Sequence, residues 1–76
     1  MKELIELMVK GLVDKVEEVK INQITGEKTI IFEVQVNTQD IGKIIGKQGR
    51  NIKAIRTIAN AAAKNYQKKI VIEVIH

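Results

Sequence analysis

An α+β fold, with a three-stranded mixed sheet and three helices on one face in the order αββααβ, is the architecture this 76-residue sequence predicts. Three observations predict it. Apolar residues recur at three- and four-residue spacing near the start, two alternating segments flank a glycine turn, and a glycine-broken helical stretch precedes a β-branched final run. The length suits a single domain over residues 1–76, because a chain this short buries only about 60% of its unfolded surface and has none to spare for a second core. With 45% hydrophobic and 29% charged residues and no Pro, the composition is that of a folded domain and not of a disordered tail. The absence of Cys excludes a disulfide framework or a zinc–thiolate site, so packing or a partner subunit must hold the fold.

In chain order, a first helix is expected from Leu4 to Val19. Ile5, Met8, Val9, Leu12, Val16 and Val19 make its apolar side, and Glu3, Glu6, Lys10, Asp14, Lys15, Glu17 and Glu18 fill the other. Gly11 inside it costs about 1 kcal/mol relative to Ala, which packing has to offset. Strands are expected at Lys20–Ile24 and Lys28–Val36, joined as an antiparallel hairpin by Thr25-Gly26-Glu27. In the second, Ile30, Phe32, Val34 and Val36 alternate with Thr29, Ile31, Glu33 and Gln35, so one face is buried. Thr38 is the candidate cap of a short helix from Gln39 to Ile45, with Asp40 suited to the positive end of its dipole. A turn at 46–49 interrupts that helix before a longer one runs from Arg50 to Gln67, burying Ile52, Ile55, Ala59, Ala62, Ala63 and Tyr66. Ile70–Ile75 reads as a largely buried last strand, parallel to the second through a right-handed crossover.

Charge singles out one window. Residues 40–56 hold Lys43, Lys47, Arg50, Lys53 and Arg56 against Asp40 alone, which leaves the remainder balanced at eight positive and eight negative groups and places the net +4 in this stretch. A localised excess of this kind points to a polyanionic partner. Within the window, Gly46 and Gly49 permit dihedrals closed to other residues and let a phosphodiester approach the backbone. The free N–H groups that open the next helix favour an anion there, and Lys47 and Arg50 add formal charge. Ile44 and Ile45 cannot both face the core of so short a helix, so Ile45 is free to floor a groove.

The run Ile45-Gly46-Lys47-Gln48-Gly49-Arg50-Asn51-Ile52 resembles the Ile-Gly-x-x-Gly-x-x-Ile core of the KH (K-homology) RNA-binding domain, and the element order matches its type II arrangement. With Asp40-Ile41-Gly42-Lys43-Ile44 before it and Ala54-Ile55-Arg56-Thr57 after it, the chain is similar along its whole length to the small single-domain bacterial KH proteins of the KhpA family. That resemblance implies a groove for about four single-stranded nucleotides between the glycine loop, its flanking helices and the following strand. Carried over by position, Gly46, Lys47, Gln48 and Gly49 clamp the backbone beside Gly42. Ile45 and Ile52 shape the apolar groove or its support, and Lys43, Arg50 and Lys53 line its rim. The resemblance further implies a cytoplasmic role as a post-transcriptional regulator or RNA chaperone, and a homodimer or a pairing with a second KH-containing protein.

Other readings are weaker. Gly42-x-x-x-Gly46-x-x-Gly49 is not the dinucleotide-binding Gly-x-Gly-x-x-Gly, and Gly46-Lys47-Gln48 lacks the upstream spacing and the hydroxyl residue of a phosphate-binding loop. The chain has no Cys or Ser, its one His is the terminal His76, and Asp14 and Asp40 fall on different elements, so no enzyme, cofactor or metal is expected. Lys68-Lys69 reads as polar punctuation, Tyr66 as core edge and Phe32 as core. Arg56 is as well explained by a solvated face. Neither a signal-peptide pattern nor a membrane-length apolar run occurs, which fits the cytoplasm. The alternative function is a protein-interaction module that dimerises through the alternating strand or the alanine-rich helix, with nucleic-acid binding incidental.

Overall fold

The computed structural model describes residues 1–75; His76 lies outside the described residues. Its elements are α1 (Lys2–Lys10), β1 (Lys20–Thr25), β2 (Thr29–Gln35), α2 (Ile41–Ile45), α3 (Arg50–Ala62) and β3 (Lys69–Ile75), with single 3-10 turns at Val16–Glu18, Thr38–Asp40, Lys47–Gly49 and Lys64–Tyr66. This is the expected αββααβ order.

Helix α1 stops well short of Val19. The Gly11 N–H still reaches Leu7 O at 3.1 Å with right-handed dihedrals (φ −72°, ψ −16°), so the glycine ends the helix without a left-handed turn. What diverts the chain is tertiary: Val13 enters the core at 8% exposure, and the Lys15 N–H donates to Asp40 Oδ2 at 3.0 Å, a partner that a continuing helix would not allow. The apolar repeat beyond Leu12 therefore does not mark a helix face. Val16, expected in the core, is 44% exposed, and Val19 only leans against it.

The sheet order is β1-β2-β3, antiparallel then parallel, as expected from the hairpin and the helical crossover. Gly26 closes the hairpin by donating to Thr29 O at 2.7 Å. Register places Ile21 opposite Val34 and Phe32 opposite Ile72, so one face of the sheet meets the helices. Ile5 and Val9 from α1, Ile44 from α2 and Ile52, Ile55 and Ala59 from α3 pack on that face around the fully buried Phe32. Aliphatic residues fill this small core, with buried positions alternating strictly along β2, while β1 contributes Ile21 alone.

Three further burial expectations fail. Strand β3 is half-buried and not largely buried: Ile70 and Ile72 are covered, whereas Glu73 and Ile75 face water because, among the described residues, nothing packs on the second face of the sheet. Helix α3 ends at Ala62, and Ala62 and Tyr66 are exposed, Tyr66 by 53%. The chain leaves the α-helical region at Ala63 (φ −92°, ψ 7°), and Gln67, with left-handed dihedrals (φ 56°, ψ 28°), then reverses it into β3, where Lys69 N–H meets Lys28 O at 2.9 Å. No helix among the described residues is long and apolar enough to cross a membrane.

Candidate nucleic-acid interface

The approach to the glycine loop is built at the end of β2. Asn37, not Thr38, is the cap: its Oδ1 accepts from the Gln39 N–H at 2.9 Å while its Nδ2 donates to the Glu18 carboxylate at 3.1 Å. Asp40 is buried at 2% exposure and serves as a tertiary acceptor more than as a dipole partner. The Lys15 N–H first of all, with the Lys43 ammonium contributing, holds its carboxyl below the usual aspartate range. Lys43 Nζ lies 3.4 Å from Asp40 Oδ1 and donates to Asp14 as well. Asp14 and Asp40, read from the sequence as unrelated, thus meet around one ammonium, which Asp14 above all holds above the usual lysine value.

The loop itself needs three positive φ angles in four residues. Gly46 (φ 76°, ψ 173°) occupies a region essentially limited to glycine, and Gln48 (φ 58°, ψ 25°) and Gly49 (φ 74°, ψ 17°) are both left-handed. Gly46 N–H closes α2 onto Gly42 O at 2.8 Å, and Gly49 N–H turns back to Gly46 O at 3.1 Å. Lys47 and Gln48 open the 3-10 turn that follows Gly46, so their N–H groups have no acceptor within that turn, and α3 starts at Arg50 with no side-chain cap. The first N–H groups of the turn and the positive end of a helix dipole are thereby presented together at one exposed corner.

Asn51 is the residue sequence reasoning missed. Its Nδ2 donates to Lys43 O at 2.8 Å, fastening the first turn of α3 to the last turn of α2 across the loop. A Cβ on Gly46 would lie 2.6 Å from Asn51 Cγ, so the glycine is required by packing as well as by its dihedrals. An Asn in a first helical turn is a cue for side chain to backbone bonding, but sequence alone does not say to which carbonyl.

The remaining expected residues divide into three groups. Lys47, Gln48 and Arg50 are exposed on the loop, with Arg50 Nη2 3.5 Å from Gln48 Oε1, and Lys53 is exposed one turn into α3. Ile44 is fully buried, Ile52 nearly so and Ile45 only partly, which leaves Ile45 free to line a groove. Gly42 is exposed on α2, and a Cβ there would touch nothing within 4 Å. Lys43 stands apart because its charge is matched by Asp14 and Asp40. Arg56 is structural at one end: its Nη2 donates to Ile72 O at 3.2 Å, and Asn60 Oδ1 accepts from Ile70 N–H at 3.4 Å, so α3 lies along the outer edge of β3. Among the described residues no group of three His, Cys, Asp or Glu side chains is placed to hold a metal.

A mixed sheet in this order, covered on one face by three helices and carrying a Gly-x-x-Gly turn between the second and third, defines a KH domain of the type II arrangement. The profile of the KhpA/KhpB KH-domain family matches residues 2–74, and the chain belongs to that family. It is 55% identical over 75 residues to the RNA-binding protein KhpA of Clostridium perfringens, covering 99% of this chain and 100% of the relative. To the RNA-binding protein KhpA of Clostridium acetobutylicum it is 51% identical, again over 99% and 100% of the two chains. The RNA-binding protein KhpA of Aquifex aeolicus is 41% identical, over 99% of this chain and 95% of its own. No solved structure gives a significant match.

Proposed function

We propose that this protein is a non-catalytic binder of single-stranded RNA that holds about four nucleotides along the groove between the glycine loop, α2, α3 and β3. One observation carries the reading: the Lys47 and Gln48 amides that open the 3-10 turn, the uncapped start of α3 and the Lys47 and Arg50 side chains share one exposed corner. A phosphate seated there accepts from the amides and lies at the positive end of the helix. Gly42 leaves the α2 side of the groove without a side chain, Ile45 supplies an apolar floor, and Lys53 and Lys43 flank it, the latter after exchanging a carboxylate for a phosphate. Relatives that carry the name RNA-binding protein KhpA over their whole length support RNA as the polyanion. A single short groove gives modest affinity and loose sequence preference, which suits a cytoplasmic RNA chaperone or post-transcriptional regulator.

Replacing Lys47 and Gln48 together with Asp tests the reading. Asp tolerates the left-handed conformation of position 48, so the fold is expected to survive. Retention of a single-stranded oligoribonucleotide is expected to fall at least tenfold with the melting temperature nearly unchanged; unaltered retention contradicts the proposal.

A second reading, self-association or pairing with another KH-containing protein, is favoured by the apolar groove between α1 and α3, where Leu7 is 71% and Ile58 46% exposed beside Met8, Leu12 and Ala54. Sedimentation equilibrium of Leu7→Asp separates it from the first. A dimer that dissociates in the variant with RNA binding intact supports association through this groove, and an unchanged mass excludes that groove.

A further inference from the structure

Net charge counted along the chain hides a second basic site that folding assembles. Lys64 and Lys68 lie on the connection between α3 and β3, Lys69 opens β3, and Lys28 closes the hairpin turn far away in sequence. The Lys69 N–H bond to Lys28 O at 2.9 Å brings the two segments together, and Glu27 is the only carboxylate in residues 26–28 and 63–69. The ion pairs among the described residues are Met1 with Glu3, Lys10 with Glu6, and Lys43 with Asp14 and Asp40; none involves these four lysines. Lys28, Lys64 and Lys69 are exposed and Lys68 is half-exposed. Complementing the carbonyl end of α3 accounts for Lys64 but not for Lys28, which belongs to another element.

The position of this cluster says what it would take. Helix α3 has 13 residues, so the lysines sit about 20 Å from the glycine loop, at the other end of the same helix. Between them, Arg50, Lys53, Arg56 and Asn60 recur at three- and four-residue spacing and therefore share a side of α3, and Lys64 follows two residues past its end. Arg56 and Asn60 bond to Ile72 O and Ile70 N–H, which turns that side toward the edge of β3, the wall of the proposed groove. A polar, basic track thus leaves the loop, follows the groove and ends in the lysine cluster.

We infer that Lys28, Lys64, Lys68 and Lys69 form a second phosphodiester-binding site that holds the same RNA strand beyond the nucleotides clamped at the glycine loop. It rests on the RNA-binding reading above, and adds a length requirement to it: strands long enough to span α3 bind more tightly than a tetranucleotide. The lysines meet phosphates and not base edges, so the gain is independent of sequence and sensitive to salt.

Affinities of end-labelled tetrauridylate and dodecauridylate, measured by fluorescence anisotropy over a series of KCl concentrations, test this on the unaltered protein and on two quadruple variants. In K28Q/K64Q/K68Q/K69Q, dodecauridylate binding is expected to weaken by at least tenfold. The slope of log affinity against log salt is expected to become shallower by about 0.7 for each phosphate of the single strand that the variant no longer neutralises. Tetrauridylate binding should be unchanged, and K28R/K64R/K68R/K69R should restore the dodecamer to its original affinity. Equal binding of the dodecamer by the Gln variant and the unaltered protein overturns the inference, and so does an equal loss for both lengths. Failure of the unaltered protein to bind the tetramer, by contrast, contradicts the glycine-loop reading, while the Gln variant still reports on the lysines through the dodecamer.

Discussion

Three glycines of one short segment have three different reasons to be glycine. At Gly46 the dihedrals exclude other residues and a Cβ would overlap Asn51, so Gly46→Ala is expected to cost about 3 kcal/mol or more. At Gly49 only the left-handed dihedrals object, since an added Cβ meets nothing closer than 4.0 Å, and Gly49→Ala should cost about 1–2 kcal/mol. At Gly42 neither reason applies: the residue is helical, exposed and surrounded by open space. Gly42→Ala is therefore expected to stabilise the fold by about 0.5–1 kcal/mol and yet to weaken RNA binding, because the only thing left for the missing side chain to admit is a ligand. Denaturant melts and anisotropy on the three variants check all of this, and an Ala at 42 that leaves RNA affinity intact would remove Gly42 from the groove. The need for glycine at 46 and 49 was legible from the motif, as was the division of Ile44 from Ile45. The left-handed Gln48 and the bond from Asn51 to Lys43 O were not, because both are set by how the loop closes in space.

Between α1 and β1 runs a connection held by polar contacts more than by regular structure. The segment after Gly11 is fastened where Lys15 N–H meets the buried Asp40, where Asp14 meets Lys43, and where Glu18 meets Asn37. This explains why the first helix could not be bounded from its apolar period: the competing acceptor sits 25 residues later in the chain. Strands were easier to read, since alternation and a glycine turn are local signals. The latch carries a pH signature. Asp40 has its carboxyl held below the usual range, so its contribution to stability is complete above about pH 4 and is lost as the pH falls through the lowered folded value. The melting temperature is expected to drop over that acid range, and Asp40→Asn is expected to lower it at neutral pH while flattening the acid dependence. Parallel pH profiles for the two proteins would show that Asp40 is not the group responsible.

Over the whole molecule, charge is arranged by the fold and not by the count. Sequence places the excess in residues 40–56, but Lys43 in that window is matched by Asp14 from outside it, whereas Lys28, Lys64, Lys68 and Lys69 gather beyond it. The basic surface is consequently longer than the sequence window and is displaced along α3 toward the start of β3. The opposite face of the sheet, where Ile24, Ile31 and Val71 lie in one row, carries no such track among the described residues. The central claim is that RNA enters at the glycine loop, and amide chemical shifts of the isotope-labelled protein during titration with tetrauridylate test it most directly. The largest changes are predicted for the amides of residues 46–50, with smaller ones along the β3 edge. Changes confined to the open sheet face or to the groove between α1 and α3, with the loop amides unmoved, would contradict it.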